Sequence, residues 1–272
     1  MSGALIRRAA KDNTMKDTLD AHALAAALDR ELGNNAFPDT SHNGLQVARR
    51  DTRVTKVCLG VDATLPLYEE AARRGAQLVI CHHGISWGDS LARVTGLHYE
   101  HLAFLIQHGL ALYASHLPLD AHPRLGNNAQ IARALGLVKT KPFLRYHGGP
   151  EIGVKGEFAR PATLDAFVAK VKRITGRDDA TVFPFGGKTI RTVGVVSGGA
   201  ANDIADAIDA GLDAYLTGEP TLAAYHLAAQ GKINAVFAGH YATETFGVRA
   251  LAEHITQTFG IPAEFVDFKI PL

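Results

Sequence analysis

One stretch of this 272-residue chain is written twice, and both copies run into histidine and carboxylate side chains. Val57 to Gly84 (VCLGVDATLPLYEEAARRGAQLVICHHG) aligns without a gap on Val193 to Pro220 (VGVVSGGAANDIADAIDAGLDAYLTGEP). Gly75 falls on Gly211, and the pair His82-His83 falls on Gly218-Glu219. A helical pattern and another apolar run follow each copy, and then a histidine with a carboxylate four residues on. These are His116 and Asp120 in HLPLD, and His240 and Glu244 in HYATE. A scaffold repeated with donors at matching places confines the chain to two related halves. It also suggests a site built between them, most simply one for two metal ions.

The hydrophobic pattern says what the halves are made of. Val57 to Val61, Gln77 to Cys81, Leu110 to Ala114, Thr192 to Val196, Leu212 to Thr217 and Ile233 to Ala238 are short apolar runs that read as buried strands. Helical spacing separates them, as in Leu65 to Arg74, which stops at Gly75, and in Tyr99 to Gln107. A first helix runs from Met15 to about Gly33, Asn43-Gly44 turns into LQV, and Asn127 caps AQIARALGL. Between the copies, Glu151 to Phe158 reads as a strand and Thr163 to Ile174 as a helix. A last helix starts near Thr243 and a last strand covers Ala263 to Phe268. Strands alternating with helices predict an α/β fold of βαβ units. The expected architecture is internally duplicated: two interlocked three-layer α/β lobes, about 15–140 and 141–272, with largely parallel sheets.

Composition excludes several classes. With 28 basic and 27 acidic residues the net charge is +1, which gives no general attraction to nucleic acid or to an acidic membrane. No apolar run is long enough to span a bilayer. Two cysteines, Cys58 and Cys81, make no disulfide framework and point to a reducing cytoplasm. Residues 1–14 lack the apolar core of a secretory signal and read as a flexible extension, with Met15 an alternative start.

In open α/β sheets, functional groups gather beyond the carboxyl ends of the strands. His82 and His83 follow LVIC, His116 and Asp120 follow LALYAS, Glu219 follows AYLTG and His240 follows AVFAG. Glu244 shares a helix face with His240 through their four-residue spacing. Neutral imidazole suits borderline divalent ions, and a carboxylate can bridge two of them. Such a pair lowers the pKa of water and polarises a substrate oxygen or nitrogen. A lone HH or HxxxE motif is weak, and an acid in a first helical turn can simply complement the helix dipole. The repetition of donors at four strand ends is what favours metal. His116 and Glu219 are candidates for moving protons. Glu219 could equally hold a substrate amine or cap the next helix. His98, His101 and His108 read as surface residues, His226 as a possible neighbour of the site, and Cys81 as packing. His22, His42, His122, His147 and His254 receive no role. SGGA at 197–200 reads as a tight turn before a helix, without the lysine of a phosphate loop.

The blocks NGLQV (43–47), ICHHG (80–84), SHLPLDAHPRLGNNAQIARALG (115–136), TGEP (217–220) and AGHYATE (238–244) together resemble the NIF-three-like family. Its members carry the label of type-two GTP cyclohydrolase I homologue, and the resemblance covers residues 15–272. It implies a duplicated α/β fold and a ring-shaped homohexamer, a trimer of dimers, with a dinuclear centre facing an internal cavity. It implies two divalent ions per chain, zinc, iron or manganese, held by His82, His83, Asp120, His240 and Glu244, with Glu244 bridging. By that pattern His83 and Asp120 share one ion while His82 and His240 share the other. The expected function is a metal-dependent hydrolase of a small heterocyclic or nucleotide-like substrate. The alternative is a non-catalytic metal store, a delivery protein or a metal-regulated scaffold.

Overall fold

The computed structural model describes residues 18–146 and 148–272. The extension over 1–14, the start at Met15 and His147 lie outside the described residues. The chain opens with β1 (Leu19–Asp20) and α1 (Ala21–Leu32), then β2 (Gly44–Val47), β3 (Arg53–Val54), β4 (Val57–Asp62), α2 (Leu65–Arg73) and β5 (Leu78–His83). There follow α3 (Leu97–Gln107), β6 (Ala111–Ala114), α4 (Leu117–Ala121), α5 (Asn127–Ala134), β7 (Leu137–Arg145) and β8 (Glu151–Thr163). The remainder is α6 (Leu164–Thr175), β9 (Thr181–Pro184), β10 (Thr189–Val195), α7 (Ile204–Asp209), β11 (Ala214–Thr217), α8 (Leu222–Gly231), β12 (Asn234–Phe237), α9 (His240–Phe259) and β13 (Ala263–Phe265).

The long strands form two sheets. The five-stranded sheet runs β13-β4-β5-β6-β2, parallel except for β2. Its alternating residues separate two cores. Val57, Leu59, Leu78, Ile80 and Tyr113 face α1 and α9, while Cys58, Val79, Cys81 and Leu112 face α2 and α3. The six-stranded sheet runs β7-β8-β10-β11-β12-β9. Val193, Val195, Leu216 and Val236 face α5 and α6, while Tyr215, Ala235 and Phe237 face α7 and α8. Each sheet therefore has helices on both faces. The chain's end returns to the first sheet: α9 leaves β12 but packs Val248, Leu251 and Ile255 against β4, and β13 pairs with β4.

The expectation of largely parallel sheets is corrected in the second sheet. Only β10-β11 and β11-β12 are parallel there, whereas β7-β8, β8-β10 and β12-β9 are antiparallel. Two of the strands responsible, β7 and β9, escape the sequence pattern because they lie at the sheet's edges. β7 is mostly exposed and carries two lysines and a proline, a composition that protects an edge rather than filling a core. Helix starts also move. α1 begins at Ala21, capped by Asp20, whose Oδ1 accepts from Ala23 N at 2.9 Å. α9 begins at His240, three residues before Thr243. Asn127 is the first residue of α5, not its cap, and its amide is used elsewhere.

Candidate metal centre

The carboxyl ends of both parallel runs meet at one place. β5 extends two residues beyond its apolar run and delivers His82 and His83. The turn after β6 delivers His116, and the short α4 places Asp120 one turn later. From the other sheet, β12 leads through Gly239 into α9, whose first turns carry His240 and Glu244. Asp120, Glu244 and His82 are buried, while His83, His116 and His240 are partly exposed.

Each of the four imidazoles is held by its Nδ1 edge. His82 Nδ1 lies 3.0 Å from the carbonyl of Ser115, and His83 Nδ1 lies 2.8 Å from Asp62 Oδ1. His116 Nδ1 lies 3.0 and 3.1 Å from the Asp39 oxygens, and His240 Nδ1 lies 2.6 Å from Glu219 Oε1. An oxygen acceptor on one nitrogen fixes the tautomer and frees Nε2, the usual outer support of a metal-bound histidine. Asp39 and Asp62 are absent from the sequence reading. Asp62 ends a strand in the same way as the other donors, so its place was readable; Asp39 sits in the loop FPDT, where the sequence has no mark for it.

The freed nitrogens gather around Glu244. Its Oε1 is 3.0 Å from His240 Nε2 and 3.6 Å from His82 Nε2, and its Oε2 is 3.5 Å from His83 Nε2. Asp120 Oδ2 is 3.5 Å from His82 Nε2. His82 Nε2 and Glu244 Oε2 are buried with no hydrogen-bond partner. Contacts near 3.5 Å are long for hydrogen bonds but suit atoms that share a cation. An orphaned buried polar atom is costly, and a cation between these groups satisfies both. Donor atoms within 4.8 Å of one another form two groups, His82/His83/His116 and His83/His240/Glu244. His83 belongs to both groups.

Charge follows the same logic. Burial disfavours a charged His82, but Asp120 and Glu244 outweigh it and raise the ring to about 9. His240 is likewise raised to about 9, against its burial, by Glu244 and then Glu219. Burial pushes the Glu244 carboxyl up, yet the charges of His82 and His83 and the hydrogen bond from His240 hold it well below the usual range.

The supporting contacts cross between the sheets. Asp120 Oδ1 accepts from Asn127 Nδ2 and Ser197 Oγ, both at 2.8 Å. Asn127 Oδ1 accepts from Gly247 N of α9 at 2.6 Å. Asn128 Nδ2 donates to the carbonyl of Ile152 at 2.7 Å, and its Oδ1 accepts from Ser197 N at 2.6 Å. In NGLQV, Asn43 Oδ1 accepts from His116 N, and Gln46 Oε1 accepts from Ile85 N and Ser86 N just after the histidine pair. The turn at 197–200 is tight, with Gly198 at φ 70° against Glu244. His226 is exposed on α8. His101, expected at the surface, is partly buried and packs edge-on to Tyr68 at 5.5 Å.

Comparison with known proteins agrees with this architecture. The family described as Duf34/NIF3 (NGG1p interacting factor 3) matches residues 19–270. A Deinococcus radiodurans protein named GTP cyclohydrolase 1 type 2 homolog is 46% identical over 237 residues, 87% of this chain and 89% of that protein. The solved structure of protein ybgI, described as of unknown function, overlays with a TM-score of 0.87 at 32% identity, covering 93% of this chain and 100% of that one. TTHA1606 from Thermus thermophilus overlays with a TM-score of 0.84 at 36% identity, with coverage of 93% and 100%.

Proposed function

The chain belongs to the Duf34/NIF3 family, and from that premise we propose that it holds two divalent cations and works as a metal-dependent hydrolase. Its substrate is a small heterocyclic or nucleotide-like molecule. The observation that carries this reading is the set of Nδ1-anchored imidazoles turned toward a buried glutamate with an unpartnered oxygen. His82, His83, Asp120, His240 and Glu244 are the donors, and Glu244, with each oxygen facing a different histidine, suits a bridging place. When bound, the cations supply Lewis acidity and make water a better nucleophile near neutral pH. Among the chain's own groups, this reading gives the passing of protons to and from a substrate to His116 and Glu219, of which Glu219 holds His240 Nδ1 and is exposed to solvent. The name of the Deinococcus relative makes ring opening of GTP the first reaction to try, with formate release as its readout.

The same reading takes the β4-β5-β6 and β10-β11-β12 runs as copies of one ancestral unit, in two interlocked lobes of about 15–140 and 141–272. It takes the assembly as a homohexameric ring, a trimer of dimers, in the cytoplasm, and light scattering of the purified chain checks the hexamer. Among the described residues no helix is long and apolar enough to cross a membrane.

Metal content per chain, on protein purified without chelator or nickel affinity, tests the centre. About two ions per chain in the wild type, falling sharply in Glu244→Ala, is the expected result. Less than one ion, unchanged by the substitution and not restored on reloading, would sink the dinuclear reading. Full loading with ready metal release and no turnover would favour storage or delivery instead.

A further inference from the structure

We infer that the cleft between α4, α5 and the β7-β8 pair is a second ligand site. It takes a small organic anion with an apolar body and a carboxylate, sulfonate or phosphate head. The inference is independent of the metal-binding reading above, because the cleft uses none of the residues of that centre.

The cleft holds about 500 Å³, within the range of about 300–1,000 Å³ typical of small-molecule sites. Its place follows from how the two helices divide their faces. They turn Asp120, Asn127 and Asn128 inward, where these side chains meet Ser197 and Gly247. Ala121, Ala129 and Ala132 line the cleft instead, and Leu137, Pro142 and Val154 of the strands face them across it. Three alanines on one wall leave the room that longer side chains would fill. These six side chains offer an apolar body contact and shelter from water, and no hydrogen bond.

Charge selects the head group. Arg124 lines the cleft but is tied to Glu31 at 2.6 Å, and Glu151, the one acid of the lining, lies 3.4 Å from Arg145. Arg133 and Lys141 are exposed at the cleft and have no ion pair among the described residues. They come from different elements, the last turn of α5 and the middle of β7. The strand is bulged there. Its register on β8 shifts between Val138 and Lys141, and Lys139 holds a φ of 51°, which a residue with a side chain rarely adopts. A bulge re-aims the side chains around it. Lys139 reaches Glu157, and Lys141 is left to the cleft. Two unneutralised cations beside an apolar trough attract an anion and repel a cation. The planar guanidinium of Arg133 suits the oxygens of a carboxylate, sulfonate or phosphate. The apolar walls disfavour a sugar, whose hydroxyl groups would be buried without partners.

The test is binding of anilinonaphthalene sulfonate to the folded full chain, followed by dye fluorescence. Uncharged phenylnaphthylamine, the same ring system without the sulfonate, is the comparison. Wild type, the double variant Arg133→Ala/Lys141→Ala and Ala129→Leu are titrated with both dyes, and the wild type is crystallised with the sulfonate. The inference expects the wild type to hold the sulfonate at least about tenfold more tightly than the uncharged amine. It expects the double variant to bind both dyes alike, and Ala129→Leu, which fills the trough, to weaken both. The crystal should show the dye rings against Ala129 and the sulfonate at Arg133 and Lys141. No preference for the sulfonate in the wild type, an unchanged preference in the double variant, or a dye seated outside the cleft overturns the inference. Should Ala129→Leu fail to fold, the double variant, whose two side chains are exposed, and the crystal still decide.

Discussion

Glu244 is the residue on which the proposed centre turns, and its surroundings leave little freedom. A Cβ added at Gly198 would stand 2.3 Å from Glu244 Oε1 and 3.1 Å from His240 Nε2, at a φ of 70° that favours glycine. Gly198→Ala should therefore displace Glu244, cut metal content well below the wild type and cost about 1–3 kcal/mol. Metal analysis and urea unfolding of the same preparation check both effects. Protons compete for the same nitrogens. The ordinary histidine value is 6.5, and His82 and His240 are raised to about 9. The metal-free fold thus draws stability from these protons below about pH 6.5 and loses it as the pH climbs through about 9. A divalent ion must displace the protons, so its affinity should rise between about pH 7 and 9 and then level off. Calorimetric titration in buffers of different ionisation heat reads the protons released; affinity flat over that range would contradict the assignment.

At the scale of elements, the site depends on how α4, α5 and α9 are pinned to one another. Gly247 leaves room for the Asn127 side chain to reach the α9 backbone, and the same amide reaches Asp120 of α4. One fully buried side chain thus sets the spacing between two donor-bearing helices. Asn127→Ala removes the side-chain acceptor of Gly247 N and one of the two donors to Asp120 Oδ1, the other being Ser197 Oγ, a loss of about 1–3 kcal/mol in the metal-free protein. Urea unfolding measures it, and metal affinity should fall in parallel because Asp120 and Glu244 lose their register. The sequence marked Asn127 as a helix cap because asparagine before a helical pattern usually is one. Only the packing shows its amide turned across the helices. The central strands were legible because runs such as LVIC and AVFAG are apolar and short. The edge strand β7 was not, because an edge exposed to water keeps a polar sequence, and β9 was not, because TVFP is short and ends in proline.

At the scale of the molecule, the residues of the proposed centre come from both sheets, so a bound ion would tie the sheets together. His82, His83, His116 and Asp120 follow strands of the five-stranded sheet, and His240 and Glu244 follow β12 of the six-stranded sheet. A ligand that binds only the folded state at about a hundred times its dissociation constant adds about 2.7 kcal/mol. For a chain of this size that corresponds to a fall of roughly 5–10 °C in Tm on chelation, with recovery on reloading, read by calorimetry. An unchanged Tm would mean that no ion bridges the sheets. The sequence by itself determined the α/β alternation, the strand ends and the donor types, because these depend on local periodicity and on side-chain chemistry at turns. It also carried the blocks of residues that identify the family. The tertiary structure alone decided the mixed second sheet, the return of α9 and β13 to the first sheet, and which histidine each of Asp39 and Asp62 supports. Edge pairing, chain return and outer hydrogen bonds are contacts between residues far apart in the chain, and no local pattern encodes them.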